Sequence, residues 1–369
     1  MRGPGRSVKL AVGTAQPARS ALLTSMWRRW ARATAGPARR AIGVRRYMWA
    51  MQLVAPRTFA EVETPAPGER DLGPGEVLLE VLAGGICGSD LPTFRGIATP
   101  GPPTGLRGEP LTGAPLHEVV GRVVASRDPN HVVGSRLVGW ASHFDGLAEV
   151  VVSRGDDLAL AATALPPERE VMLQPLACVL YAVQQLPKVA GARAAVLGLG
   201  PIGLLFAHVL RTSGAASVIG VDAVDRGALA KAFGLDEAVH ATTQRWLTGL
   251  QPADRLDVVV EAIGHNSATV NHALSACALG GCAFAFGVPD EPIYPIDVDV
   301  MLRNNLTLKS GVTLERPRML AAAADYLDAN PSLADVYVTH VHPAPQAQDA
   351  FDAAVRPAPA QIKVTLGYR

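Results

Sequence analysis

One stretch constrains the fold more than any other: Ala194–Leu197, then Gly198-Leu199-Gly200-Pro201-Ile202-Gly203, then Leu204–Arg211. The four apolar residues predict a buried strand, the glycines a tight turn, and the apolar run behind them a helix. Glycines so spaced let the backbone turn sharply, approach a pyrophosphate and pack helix against strand, with the phosphates on the free N–H groups of the helix N-terminus. A second apolar strand, Ser217–Val221, ends in Asp222, nineteen residues after Gly203. A dinucleotide fold sets an acid there against the ribose 2′-hydroxyl. That carboxylate repels a 2′-phosphate, so NAD(H) is the expected cofactor rather than NADP(H). Arg226 is expected to flank the adenine. Gly198, Gly200, Pro201, Ile202, Gly203, Asp222 and Arg226 form the predicted cofactor-binding set.

The flanking texture is of two kinds. From Met51 to about Arg154, short strands are broken by Pro and Gly, as at Glu76–Val81, Val119–Ala125 and Leu147–Val152. This pattern predicts a small barrel-like β domain. Pro175–Leu186 has helical spacing, and from Ala192 to about Gly287 buried strands alternate with amphipathic helices, the pattern of a doubly wound parallel sheet. A helix at Arg318–Leu327 and strands at Val336–His340 and Ile362–Leu366 close the chain. The expected division is a β-rich domain of residues 51–183 and 310–369 around a Rossmann domain of residues 184–309.

Charge narrows the function classes. Residues 1–50 carry eleven of the 34 basic residues and no Asp or Glu. They read as a transit-like extension, or as sequence upstream of a true start at Met48 or Met51, and are excluded from the expected fold. The remainder has 23 basic against 33 acidic residues, a net charge near −10, which repels nucleic acid and anionic membrane surfaces. Cys87, Cys178, Cys277 and Cys282 show no CxxC spacing, so no disulfide framework is expected. The longest apolar run, 194–210, is interrupted by glycines and a proline and needs no membrane. A cytoplasmic enzyme without nucleic-acid or membrane partners is expected.

Three further segments carry chemistry. Cys87 lies in Gly85-Ile86-Cys87-Gly88-Ser89-Asp90, directly after a strand. Leu116-His117-Glu118-Val119-Val120-Gly121 follows thirty residues on, and Gln174-Pro175-Leu176-Ala177-Cys178 precedes the nucleotide fold. In this order, ahead of the glycine-rich turn, the segments resemble the zinc-dependent medium-chain dehydrogenases, notably the sorbitol, threonine and glucose dehydrogenase branch, over residues 51–369. The resemblance implies a GroES-like catalytic domain beside the Rossmann domain and one catalytic zinc per chain. Cys87 and His117 would hold it, with Glu118 and Gln174 completing the shell directly or through water. It further implies hydride transfer between a secondary alcohol (polyol, sugar, cyclitol or biosynthetic intermediate) and NAD, with zinc stabilising the alkoxide and Ser89 relaying the proton. Cys87, Ser89, His117 and Glu118 are then the catalytic set, with Gly287 and Val288 backbone meeting the nicotinamide. A homodimer or homotetramer is expected.

The chain departs from that family at named places. Pro92 stands where a relay histidine is usual, Gln174 where glutamate is commoner, and Leu116 where glycine is usual. No cysteine lies between Glu118 and Gln174, so the lobe that binds a second, structural zinc in many relatives is expected to be missing. Cys178 is read as core packing, with a place facing the zinc as the alternative, Cys277 and Cys282 as buried and inert, Arg95 as a surface residue ahead of a contact for an acidic substituent, and the histidines other than His117 as ordinary. Two rivals remain: a zinc-free NADPH-dependent enoyl or quinone reductase, against which Cys87, His117 and Asp222 argue, and a non-catalytic nucleotide-binding protein, for which Pro92 and Gln174 leave room.

Overall fold

The computed structural model describes residues 47–97 and 112–368. The first β region contains β1 (Tyr47–Ala55), β2 (Thr58–Pro65), β3 (Glu76–Gly85), β4 (Glu118–Ser126), β5 (Arg136–Trp140), β6 (Val150–Arg154) and β7 (Leu158–Leu160). The nucleotide-fold segment supplies β8 (Arg193–Leu197), β9 (Ser217–Asp222), β10 (Glu237–His240), β11 (Leu256–Glu261), β12 (Cys277–Ala285) and β13 (Thr307–Ser310). The chain then returns with β14 (Val338–Pro343) and β15 (Lys363–Gly367).

The second group forms one six-stranded sheet in the order β10-β9-β8-β11-β12-β13, every neighbouring pair parallel. The order reverses at β8, and a doubly wound sheet opens its ligand crevice at that switch point. The other domain has a main sheet in the order β14-β15-β3-β4-β5-β7, with β6 also on β3, and a separate two-stranded sheet of β1 and β2. Its strands come from both ends of the chain, so the C-terminal segment completes the domain that the N-terminal segment begins. Apart from the parallel pair β14–β15, these neighbours run antiparallel.

The helix Leu173–Gln185 joins the two sheets. Leu173, Leu176, Ala177, Val179 and Ala182 are buried in a core shared with Val120 and Trp140 of one sheet and Val196 and Phe284 of the other. Burying one leucine of this kind contributes about 2 kcal/mol. The catalytic-domain sheet and the nucleotide sheet are therefore held by one apolar seam, and the first turn of this helix lies where the two sheets meet.

Several boundaries differ from the sequence reading. Tyr47–Ala50 belongs to β1 and pairs with Val62–Pro65 of β2. Ala50 is wholly buried, so the folded domain reaches at least four residues further toward the N-terminus than the expected boundary at 50. Residues 1–46, the rest of the basic extension, lie outside the described residues. The expected strand Leu147–Val152 starts at Val150, because Leu147 and Glu149 bond separately to Met51, Gly113, Trp49 and Val81. Val336 and Tyr337 end a short helix, Ser332–Tyr337, instead of opening β14. Among the described residues no helix is long and apolar enough to cross a membrane.

Candidate metal and dinucleotide site

The glycine-rich turn leaves β8 and enters the helix Pro201–Thr212, whose first position is a proline with no N–H to lose. Gly198 has φ +90°, and a Cβ on Gly203 would lie 1.7 Å from the Gly198 carbonyl oxygen, so the turn closes only on glycine. A Cβ on Gly200 would meet nothing within 4 Å. The turn is thus tight against the protein at Gly203 and open at Gly200, the shape a pyrophosphate requires. No side chain caps the helix, which leaves its first N–H groups to a ligand. Asp222 ends β9, with Oδ2 accepting from the Leu199 N–H at 2.6 Å and Oδ1 from the Val224 N–H at 2.7 Å. The acid is therefore built into the turn it serves.

Arg226 has partners that the sequence reading did not foresee. Its Nη1 donates to the carbonyls of Ala358, Pro359 and Gln361 at 2.6, 3.0 and 2.7 Å, and the side chain is buried. It ties the nucleotide sheet to the segment before β15. Gly287 and Val288 follow β12. A Cβ on Gly287 would sit 2.1 Å from the Gly264 amide nitrogen, and Val288 takes the His265 N–H. Glu261 organises the facing loop by accepting from the N–H groups of Ile263 and Gly264 and from Thr269.

Cys87, His117 and Glu118 converge, each offering one ligand atom within 4.8 Å of the others. Cys87 follows β3, and His117 and Glu118 enter β4. Gly85 pairs with Glu118, and a Cβ on Gly85 would lie 2.3 Å from Glu118 Oε2, so the glycine makes room for the carboxylate. Leu116 takes its space the same way, since a Cβ on Gly84 would strike its side chain at 2.4 Å. The larger residue before His117 is accommodated by the strand opposite. The chain passes from β5 straight into a loop in which Phe144 and Gly146 bond the Leu116 backbone, with no inserted lobe.

Two residues the sequence reading passed over complete the cluster. Asp90, quoted in the cysteine motif without a role, bonds His117 Nδ1 at 2.8 Å and accepts the Cys87 backbone N–H at 2.8 Å. The other imidazole nitrogen is thereby left for a metal. Burial pulls the His117 pKa down, but the Asp90 carboxylate, with Cys87, more than reverses this and holds it well above the ordinary value. Lys363 is the first residue of β15 and almost fully buried. Its Nζ lies 2.7 and 2.6 Å from the two Glu118 oxygens and donates to the Ile86 carbonyl at 2.8 Å. Burial pushes the Glu118 carboxyl up and Lys363 offsets part of that.

Gln174 is buried in the first turn of the helix Leu173–Gln185, and its Nε2 donates to Cys178 Sγ at 3.6 Å. Cys178 packs against the shared core, as the sequence reading expects. It is half-buried, and although burial chiefly pushes its thiol up to about 12, Thr313 and Arg316 act against that and Cys87 and Glu118 with it. Cys277 and Cys282 are buried under the nucleotide sheet, away from the cluster. Ser89 stands on the short turn Gly88–Asp90, half-buried, and Pro92 is buried in the following turn. The Tyr337 hydroxyl is buried without a hydrogen-bond partner, and burial, then Glu118, Cys87 and Cys178, raise its pKa well above the ordinary value.

The donor set of thiol, imidazole and carboxylate suits zinc. Comparison with known proteins agrees. Residues 73–191 match the alcohol dehydrogenase GroES-like domain, and residues 201–328 match the zinc-binding dehydrogenase family. D-Altritol 5-dehydrogenase of Agrobacterium fabrum is 30% identical over 312 residues, covering 74% of this chain and 87% of that protein. The chain belongs to the zinc-type medium-chain dehydrogenases. L-Threonine 3-dehydrogenase of Caldanaerobacter subterraneus is 26% identical over 271 residues, 66% of this chain and 76% of that enzyme. Among solved structures, alcohol dehydrogenase TADH from Thermus sp. ATN1 superposes with a TM-score of 0.73 at 24% identity, over 87% of this chain and 100% of that one. That likeness bears on the fold. In this medium-chain dehydrogenase the metal cluster lies on the GroES-like sheet and the glycine-rich turn on the Rossmann sheet, with the helix Leu173–Gln185 packed between.

Proposed function

We propose that the chain is an NAD-dependent oxidoreductase that interconverts a secondary alcohol, of polyol or related type, and its ketone, using one zinc held by Cys87, His117 and Glu118 with Gln174 beside them. The observation that carries this reading is the convergence of the three ligand atoms within 4.8 Å at the seam of the two domains. Bound there, zinc would supply Lewis acidity at the carbinol oxygen and NAD the hydride-accepting ring. The protein's own residues do the rest. Asp90 fixes the imidazole so that one nitrogen faces the cluster, and Lys363 lets Glu118 sit in a dry site. Ser89, two residues past Cys87 and without a hydrogen bond to another described residue, is available to take the alcohol proton. Pro92 carries no group to pass that proton on.

NAD over NADP is supported from two sides. The Asp222 carboxylate repels a 2′-phosphate, and Arg226, the nearby cation, is committed to three backbone carbonyls. The names of the relatives, which include altritol, butanediol, sorbitol and threonine dehydrogenases, support a secondary alcohol as substrate. A homo-oligomer is part of the proposal. The outer edge of β13 pairs with no other strand among the described residues, and Val298 and Leu302 of the neighbouring helix Val298–Asn304 are exposed.

The test is metal content by plasma mass spectrometry on protein retaining residues 47–369, alongside Cys87→Ala, with NADH formation followed on a panel of alcohols. About one zinc per chain, lost in the variant together with turnover, supports the reading. Turnover of nicotinamide by metal-free protein overturns it in favour of a zinc-free reductase.

A further inference from the structure

Arg316 opens the helix Arg316–Ala329, and its guanidinium lies 4.7 Å from the centre of the Trp140 ring. Trp140 pairs with Glu118 across β4 and β5, so the two side chains rise from the same face of the sheet. Starting at Glu118 and crossing the indole, the guanidinium is on the order of 10 Å away, the reach of a small substituted alcohol. From another direction, the charge of Arg316 is felt by Cys178, one helical turn past Gln174. The guanidinium thus stands across the indole from Glu118 and remains 29% exposed.

What holds Arg316 leaves it charged and under-used. Its one hydrogen bond to a described residue runs from Nη1 to Asp157 Oδ1 at 2.6 Å. Asp157 is simultaneously occupied by Arg154, at 3.0–3.2 Å, and by the Ser142 hydroxyl at 2.7 Å. Two guanidiniums thus share one carboxylate, and the group is left with a net positive charge. A guanidinium has five N–H donors in a planar fork, and here most of them are unspent while stacking on Trp140 and the Asp157 bond fix the plane. A fixed, half-satisfied fork beside a reaction centre matches one kind of ligand, a planar or tetrahedral oxyanion.

We propose that Arg316 binds a carboxylate or phosphate substituent of the substrate, which makes the enzyme selective for anionic secondary alcohols. The proposal rests on the dehydrogenase reading and deepens it. It replaces Arg95, which ends the short helix Leu91–Phe94 on the surface, as the place where an acidic substituent is met.

The experiment compares kcat and KM of the zinc-loaded enzyme for three groups of secondary alcohols. These are hydroxy acids (3-hydroxybutanoate, threonine), a phosphate ester (glycerol 3-phosphate) and neutral diols and polyols (2,3-butanediol, glycerol). The expected result is a kcat/KM at least about tenfold higher for one anionic group than for the neutral group. The group that shows it distinguishes carboxylate from phosphate. Arg316→Gln then raises KM for the favoured anion about tenfold or more, with a far smaller change in kcat and in the neutral KM, and Arg316→Lys recovers part of the loss. Arg154 still serves Asp157 in both variants, so the fold is kept. A preference for the neutral group, or equal losses on charged and neutral substrates in Arg316→Gln, overturns the proposal. If no alcohol is turned over, the dehydrogenase reading itself fails. Tryptophan fluorescence titrated with inorganic phosphate and with propanoate then decides the anion site separately: saturation in the wild type and none in Arg316→Gln supports it, and identical titrations refute it.

Discussion

Asp90 stands 2.8 Å from His117 Nδ1 through one carboxylate oxygen, while the other accepts the Cys87 backbone N–H at 2.8 Å. One buried carboxylate thus positions two members of the metal cluster, the imidazole through its ring and the thiol through its backbone. Its bonds run to the imidazole and to the Cys87 backbone, so any effect on a bound metal passes through those two residues.

Replacing it should therefore weaken the metal before anything else. Asp90→Ala is expected to lower zinc affinity about 10- to 100-fold, with a smaller loss in Asp90→Asn, which keeps one acceptor. Competition against a chromophoric chelator measures this directly. An unchanged zinc affinity in Asp90→Ala would show that the imidazole is oriented by packing against Phe144, whose ring lies 5.1 Å away, and not by the carboxylate.

Lys363 and Glu118 make a buried ion pair, with side chains 1% and 0% exposed. Removing only the cation strands a carboxylate that burial already pushes up. Lys363→Met should cost about 3–5 kcal/mol of unfolding stability, and Glu118→Gln in the same chain should recover most of it. Urea unfolding of the two single variants and the double variant gives the coupling. Additive losses would mean that each group is held by its other neighbours.

The nucleotide half was the more legible in sequence, and the reason is local. The turn Gly198–Gly203, the strand before it and Asp222 after it are a short-range pattern, and Gly203 answers to a contact within the same motif, the Gly198 carbonyl. Cys87, His117 and Glu118 were legible only through their motifs, since β3 and β4 bring them together by long-range pairing. Lys363 lies 245 positions from its partner Glu118, and nothing local to it announces that pairing. Arg226 misled for the same reason: its neighbour in sequence is Asp222, but its partners are carbonyls 132 to 135 positions on. Trp140 and Arg316 acquire meaning only once β5 lies beside β4.

Asp157 gives a pH signature away from the metal ligands. Burial pushes its carboxyl up, but Ser142, Arg316 and Arg154 outweigh this and the net shift is downward. A carboxylate whose folded pKa is depressed contributes stability that is fully present above its unfolded value, about 3.9, and lost as pH falls through the folded value. The wild type should exceed Asp157→Asn by about 2–3 kcal/mol near neutral pH, as for a hydrogen bond to a charged group. That gap should narrow as pH falls below about 4. Thermal unfolding of both proteins from pH 7 to pH 3 checks it, and a gap that widens toward acid would mean the sign is wrong.

The last prediction concerns cofactor choice. Asp222 has two duties, since it holds the Leu199 and Val224 N–H groups and carries the negative charge beside the ribose site. Asp222→Ala removes both, so KM for NADH should rise about tenfold, as for loss of a hydrogen bond to a charged group, and the turn should loosen. The same change lifts the repulsion of a 2′-phosphate, so the NADPH-to-NADH ratio of kcat/KM should increase. The gain should stop short of a true NADP enzyme, because Arg226 is bound to Ala358, Pro359 and Gln361 and cannot swing to meet the phosphate. Adding Arg226→Ala to Asp222→Ala separates the two effects. If Arg226 is the anchor described, the second substitution lowers stability and leaves the NADPH-to-NADH ratio where Asp222→Ala put it. A fall in that ratio would show that the arginine had turned toward the nucleotide.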